Sequence, residues 1–108
     1  MKDVVDRYTY RVLWSEEDGE FVGLCAEMPS LSWLDEDRSK ALTGIVKVVR
    51  QAIHDMRKSG EEIPEPLTER KYSGELRLRM PPALHQRLAT RAAEEQTSIN
   101  KLIIKQLS

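Results

Sequence analysis

The segment from Gly74 to Pro82 restricts the fold of this chain more than any other part of its sequence. Polar and apolar residues alternate there, which predicts a strand over residues 74–80 with two different faces. Two consecutive prolines follow, and proline ends a strand but suits the first turn of a helix, so the next helix should begin at Pro82 or Ala83. The apolar face of the predicted strand consists of Leu76, Leu78 and Met80, and the polar face consists of Glu75, Arg77 and Arg79.

Two short helices are predicted after the prolines. The first has an apolar stripe that runs to about Gln96, and the second begins after Ser98, a residue type that caps helix N-termini well. A unit of about 35 residues with so few apolar positions cannot bury a sufficient core by itself, so we expect it to fold together with a second copy. The stripe residues are Leu84, Leu88, Ala92 and Ala93 in the first helix and Ile99, Leu102, Ile103 and Leu107 in the second.

This order of strand, proline, helix, cap and helix over residues 73–108 resembles the ribbon-helix-helix family of DNA-binding domains. The resemblance implies that two chains pair their strands into one antiparallel ribbon, which enters the major groove. Gln96 stands where the family often has glycine or asparagine to turn the chain between the helices.

The polar face of the predicted ribbon and the start of the last helix are the candidate DNA-binding residues. Polar residues on an open sheet face are usually only solvated, but the helices that follow favour base readout, because arginine can bind guanine O6 and N7 with two hydrogen bonds. Glu75 would accept from cytosine N4 or orient Arg77. The N-terminus of the last helix would bind phosphate and position the ribbon. The candidates are Glu75, Arg77, Arg79, Ser98, Asn100 and Lys101.

The charge of the chain is divided between its two parts. Residues 1–70 carry 10 Lys and Arg against 15 Asp and Glu, a net charge of −5, whereas residues 71–108 carry 7 against 3, a net charge of +4. Opposite signs indicate two surfaces with different partners, of which only the basic one suits a polyanion. No apolar run reaches membrane-spanning length, and the single cysteine, Cys25, fits a reducing cytoplasm and is expected to pack as a small apolar residue.

The N-terminal part predicts a sheet covered by a helix. Residues 7–14 alternate as a strand, the polar residues 15–19 form a turn, and two further strands follow, the last around residues 31–34. Asp37 is a candidate N-cap for a long amphipathic helix that ends with Gly60 in the C′ position. The expected architecture is therefore α+β, with a three-stranded antiparallel sheet and one long helix. Residues 61–73, with two prolines and many charges, predict a linker between domains at 1–60 and 74–108.

The N-terminal part is similar to the first domain of HicB-type antitoxins, which has a partial ribonuclease-H-like fold. The similarity rests on the aromatic first strand, the hairpin sequence WSEEDGEFVGLCAEMPSL, the pair Ala41-Leu42 and the exit sequence IPEP at residues 63–66. Followed by a ribbon-helix-helix domain, it implies that residues 1–60 bind a HicA-type toxin that cleaves mRNA. It further implies that residues 74–108 bind operator DNA as a homodimer, with a tetramer of two dimers as the alternative.

The sequence contains no pattern that indicates catalysis. The two-metal chemistry of ribonuclease H needs converging carboxylates, but the first strand has none, and Glu16, Glu17 and Asp18 fall in a hairpin turn. Neither His54 nor His85 belongs to a metal-ligand pattern. We therefore expect no enzyme activity, no metal and no cofactor.

Together these features predict a cytoplasmic antitoxin of a type II toxin–antitoxin system, associated with the nucleoid when it represses its own operon. The alternative is a stand-alone ribbon-helix-helix regulator whose first domain binds a ligand or only oligomerises.

Overall fold

The computed structural model describes residues 3–108, which fold into two compact units. The first unit ends at Tyr72, and the second consists of Ser73–Ser108. Eight elements follow one another within the described residues. They are α1 (Val4–Arg7), β1 (Tyr10–Ser15), β2 (Glu20–Cys25), β3 (Ser32–Asp35), α2 (Arg38–Lys58), a single 3-10 turn (Leu67–Glu69), α3 (Pro82–Glu94) and α4 (Ile99–Leu107).

The first unit is an α+β fold with a three-stranded antiparallel sheet in the order β1-β2-β3, as predicted. The prediction of a strand over residues 7–14 was wrong at its start, because α1 precedes it and the strand begins only at Tyr10. Asp3 caps α1 by accepting a hydrogen bond from the Val5 amide at 3.0 Å, and the Val5 side chain is buried in the core. A local cap and one buried contact thus outweigh the alternating pattern there.

Helix α2 lies across one face of the sheet and begins and ends at the predicted residues. Asp37 is its N-cap and accepts hydrogen bonds from the Ser39 amide at 2.8 Å and hydroxyl at 2.7 Å, which lower the pKa of the Asp37 carboxyl. Gly60 occupies C′ with a φ of 72°, and the bonds of a Schellman motif close the helix there. The buried side of α2 includes Ala41, Ile45, Val49 and Ile53.

Two glycines allow α2 to approach the sheet closely. A Cβ at Gly23, in the central strand, would lie 2.5 Å from the Ala41 carbonyl oxygen, and a Cβ at Gly44 would lie 2.2 Å from the Trp33 ring. Real Cβ atoms do not approach so closely, so a side chain at either position would separate the helix from the sheet. Cys25 is buried in the same core as predicted, and its burial raises the pKa of its thiol.

The segment after α2 folds back onto the first unit. The Tyr8 hydroxyl donates to the Pro64 carbonyl at 2.7 Å, and the Leu67 amide donates to Glu27 Oε2 at 2.9 Å. Ile63 packs against the core, and the Arg7 guanidinium pairs with the Glu69 carboxylate. Much of the predicted linker, residues 61–73, is therefore attached to the first unit, and its role as a domain boundary stays a prediction.

The Glu27 carboxylate joins this segment to the start of the sheet. Its Oε1 accepts from the Thr9 amide at 2.8 Å while Oε2 accepts from Leu67. Burial by itself raises the pKa of Glu27, but the hydrogen bonds from the Leu67 and Thr9 amides outweigh it, so the net effect lowers the pKa. A depressed pKa in the folded state means that the attachment is complete above the pKa of the unfolded chain. It is lost as the pH falls through the folded pKa.

We predict that Glu27→Gln releases residues 63–69 from the first unit. Glutamine has one acceptor oxygen and would place an amide donor opposite the Thr9 or Leu67 N–H, at a cost of about 1–3 kcal/mol. Hydrogen exchange should show the Leu67 amide losing protection by roughly 5- to 150-fold. In the unsubstituted chain, acidification should have the same effect after correction for intrinsic exchange rates. Glu65→Gln, at an exposed position of the same segment, is the control, and equal exchange in both variants would contradict the role of Glu27.

The second unit consists of an extended segment followed by α3 and α4. Helix α3 begins at Pro82 as predicted and ends in a Schellman motif, in which the Thr97 amide donates to the Ala92 carbonyl at 2.9 Å. Gln96 occupies the C′ position with a φ of 55°, so glutamine takes the left-handed conformation that glycine or asparagine most often supplies at a helix C-terminus. Ser98 is the N-cap of α4, as predicted. Ala92 and Leu102 are the buried side chains of the two helices.

Candidate nucleic-acid interface

Residues 75–80 belong to no helix or strand of the described chain, although their sequence alternates like a strand. A strand needs a neighbour with which to exchange backbone hydrogen bonds, and residues 3–108 supply none to this segment. Its apolar side chains are consequently uncovered: Leu76 is 84% exposed and Leu78 is 53% exposed. The strand predicted over residues 74–80 stays a prediction, because it would form only by pairing with a second chain.

The apolar residues of this segment and of α4 line one open groove. Its apolar lining consists of Leu76, Leu78 and Met80 from the segment and of Ile99 and Ile103 from α4. Further along α4, Ile104 is 63% exposed and Leu107 is 83% exposed, so apolar surface continues along the helix. So much exposed apolar surface on so small a unit marks a site of association.

The structure brings only some of the predicted DNA-binding residues together. Arg79 and Asn100 line the groove with the apolar residues, and all six candidates are exposed. Within residues 3–108, Glu75 makes no ion pair with Arg77. The hydrogen bond that positions Glu75 instead joins its backbone amide to Ser73 Oγ at 3.0 Å.

At the start of α4, the cap defines which backbone amides remain for a phosphate. The Ser98 hydroxyl accepts from the Lys101 amide at 3.1 Å, so that amide is already satisfied inside the helix. The amides of Ile99 and Asn100 occupy the first helical positions, which lack an intrahelical acceptor. They and the positive end of the helix dipole are therefore the groups that would face an anion at this terminus. Ser98 acts as a cap, and the side chains of Asn100 and Lys101 extend from the same turn.

His85 lines the groove as well, although its place in the sequence does not group it with the predicted ribbon. It lies in the first turn of α3, four residues after Pro81, so the helix carries it to the end of the extended segment. The position of His85, four residues after Pro81, does predict that it lies in the first turn of the helix. The sequence alone does not show that this turn and the N-terminal turn of α4 line the same groove.

The comparison with protein families identifies this part of the chain. The model described as the HicB family matches residues 58–107, which is slightly under half of the chain and includes the whole of α3 and α4. No curated protein and no solved structure matches the chain. Residues 58–107 are therefore HicB-like, and the similarity covers the groove and all the predicted DNA-binding residues.

Proposed function

We propose that this protein is a HicB-type antitoxin that represses its own operon as a dimer and binds a small, basic, mRNA-cleaving toxin. The family match over residues 58–107 supports the HicB type. The observation that carries the operator-binding half is the uncovered apolar segment at residues 76–80 beside the apolar side of α4. Such a protein works in the cytoplasm, where its operon and its toxin are.

A second copy of the chain is the partner that suits the extended segment. Two such segments can pair as antiparallel strands, which satisfies their backbone groups and places Leu76, Leu78 and Met80 of both chains against the helices. Burying a leucine side chain contributes about 1.5–3 kcal/mol, and each chain has two leucines to bury there. The pairing gives this small unit the core that a single chain lacks. The fold that results is the ribbon-helix-helix dimer.

Alternation then places the polar residues of the ribbon on its outer face. Arg77 and Arg79 of both chains would meet the edges of the bases in the major groove, with Glu75 beside them. The N-termini of the two α4 helices would contact phosphates and fix the register of the ribbon. A two-fold symmetric dimer reads a palindromic or pseudo-palindromic operator.

The first unit is suited to a different partner. It is acidic where the second unit is basic, and it ends its hairpin in the exposed carboxylates of Glu16, Glu17 and Asp18. Trp14, which is 49% exposed, lies beside this turn and donates its indole N–H to Glu16 at 2.8 Å. Exposed tryptophan and a negative surface favour a basic protein partner over nucleic acid.

We propose that both halves act by binding and not by catalysis. Two of the hairpin carboxylates are engaged locally, Glu16 with Trp14 and Asp18 with the Ser15 hydroxyl at 2.7 Å. In the part of the chain that is described, no three His, Cys, Asp or Glu side chains form a group suited to a metal ion. No helix there has the length and apolar character needed to cross a bilayer.

The alternative is a stand-alone regulator whose first unit binds a ligand or only oligomerises. The gene beside this one distinguishes the two. A short reading frame for a basic protein supports the antitoxin, and its absence supports the regulator.

We predict that Arg77→Ala or Arg79→Ala weakens binding to the preferred DNA site by about 1–3 kcal/mol, which is roughly 5- to 150-fold in Kd. Binding to random DNA should change little, because the arginines contact bases. The site would first be selected from a random library with the unsubstituted protein, and both DNAs would then be titrated in gel shifts. Arg87→Ala, an exposed position on α3, is the control. Equal losses on the two DNAs would refute base readout by the arginines.

A different effect is expected for Lys101→Ala. Lysine at the start of α4 would contact phosphate, so its loss should weaken binding to all sequences and reduce the slope of log Kd against log salt by about one per subunit. Lys105→Ala is the matched control, because Lys105 lies one turn further along the same exposed side of α4. A salt slope that is the same in both variants would remove Lys101 from the phosphate contact.

For the toxin, we predict that a chain ending at Tyr72 still copurifies with the basic protein encoded beside the gene, when the two are coexpressed. The physical reason is that the first unit has its own core and carries the acidic surface. Residues 73–108 alone should not copurify with it. Retention by the second unit, or by neither unit, would contradict a toxin-binding role for residues 1–60.

A further inference from the structure

A titratable side chain lies in the apolar groove of the second unit. Beside the five apolar residues, the groove is lined by Arg79, His85 and Asn100. Within residues 3–108, the side chains of His85 and Asn100 have no hydrogen-bond partner. His85 is one of the two histidines in the chain, and the other, His54, lies on α2 of the first unit. The groove that is open to association thus contains a group that can change its charge.

The groups around His85 are positive or neutral. Arg79 is the charged residue that lines the groove with it. His85 lies in the first turn of α3 and Asn100 in the first turn of α4, so the positive ends of two helix dipoles adjoin the groove. A protonated His85 would meet no carboxylate among the lining residues. The other ionisable residues of the three elements lie outside the lining, and they are Glu75 and Arg77 in the segment, Arg87, Arg91 and Glu94 in α3, and Lys101 and Lys105 in α4.

We infer that a second chain occupies the groove when His85 is neutral and is disfavoured when His85 is protonated. The inference rests on the proposed dimer, in which the apolar residues of two chains fill the grooves and His85 leaves water. A buried cation needs an opposite charge to offset its lost hydration, and the groove supplies none. A neutral imidazole has one donor and one acceptor nitrogen, and the Asn100 amide in the same groove offers both a donor and an acceptor.

The sign of the pH dependence follows from this preference. Histidine changes its charge between about pH 5 and 8. At the low end of this range the separate chains bind a proton at His85 and the dimer does not, so association releases protons. Association therefore weakens as the pH falls, and the effect vanishes at high pH, where His85 is neutral in both states. A dimer contains two such side chains, so up to two protons are released.

A contact between His85 and DNA would give the opposite sign. A protonated histidine attracts phosphate, so such a contact would make DNA binding stronger in acid. The surroundings of His85 favour the second chain as its neighbour, because five of the eight residues that line the groove are apolar. Apolar surface suits a protein partner, whereas a phosphate contact calls for exposed cations and backbone amides. The proton at His85 thus regulates assembly of the ribbon, which goes beyond the proposed function.

Sedimentation equilibrium of the full chain at constant ionic strength measures this coupling. The Kd for association should be about 10- to 100-fold higher at about pH 5.5 than at about pH 7.5. His85→Gln keeps a polar side chain that does not titrate, so it should reduce the difference to about twofold or less. His54→Gln is the matched control and should keep the full difference, since His54 is exposed on α2. Equal pH dependence in His85→Gln and the unsubstituted chain, or association that strengthens in acid, would overturn the inference.

Two further variants fix the charge state at this position. His85→Lys supplies a charge that the pH does not remove, so its Kd at about pH 7.5 should reach that of the unsubstituted chain at about pH 5.5. His85→Leu should associate at least as tightly as the unsubstituted chain at both pH values. His85 is exposed in the single chain, so neither change disturbs a packed core. A lysine variant that associates as tightly as the unsubstituted chain would contradict the requirement for a neutral side chain.

Leu76→Lys separates the failure of this inference from the failure of the proposed dimer. It places a charge on the apolar side of the ribbon, so it should weaken association at about pH 7.5. If it changes nothing, the measured association does not use the ribbon, and the proposed dimer and this inference both fail. If Leu76→Lys weakens association while His85→Gln keeps the full pH dependence, the proposed dimer stands and the inference alone is wrong.

Discussion

The close contact between α2 and one face of the sheet is the interaction on which the first unit depends. It requires Gly23 in the central strand, because the backbone of α2 at Ala41 lies so close to this position that a side chain would not fit. Because one helix covers one face, the core forms entirely on that side, and the segment after the helix returns to the same core through Tyr8 and Ile63. The other face of the sheet is left open as a direct result.

The second unit is incomplete for a different reason. Its two helices bury little more than Ala92 and Leu102, and the extended segment before them has apolar side chains but no strand partner in the described chain. Chains of this size gain too little from burial to offset the entropy of ordering them. Association with another chain would explain the exposed apolar side chains of the second unit, because it would bury them. This reasoning supports the proposed dimer of the second unit.

The two units together suggest a division of labour. In the proposed function, the basic unit binds DNA, and the acidic unit with its exposed tryptophan binds a basic protein. Within the first unit, the Glu27 carboxylate holds the segment after α2 through the Leu67 amide. This attachment weakens in acid.

Local signals in the sequence were sufficient to predict where the three longer helices begin. Asp37, Ser98 and the prolines before α3 begin their helices through contacts with residues at most a few positions away, so the pattern of residue types predicts them. The start of β1 was the exception, because Asp3 and the buried Val5 form a short helix that alternation does not reveal. Gln96 is another position where the residue type does not reveal the local structure. The Schellman motif imposes a positive φ on this glutamine, and glutamine seldom adopts one.

The sequence by itself determined the α+β order of elements, the helix caps, the alternation around Arg77 and Arg79 and the opposite charges of the two parts. Only the tertiary structure decided which face of the sheet α2 covers, that Glu27 holds the segment after α2, and that Leu78 and Ile103 line one groove. The difference is physical. Periodicity and capping depend on neighbours along the chain, whereas β2 is apolar on both faces. Its covered face is decided by the close approach at Gly23, a contact between residues distant in sequence.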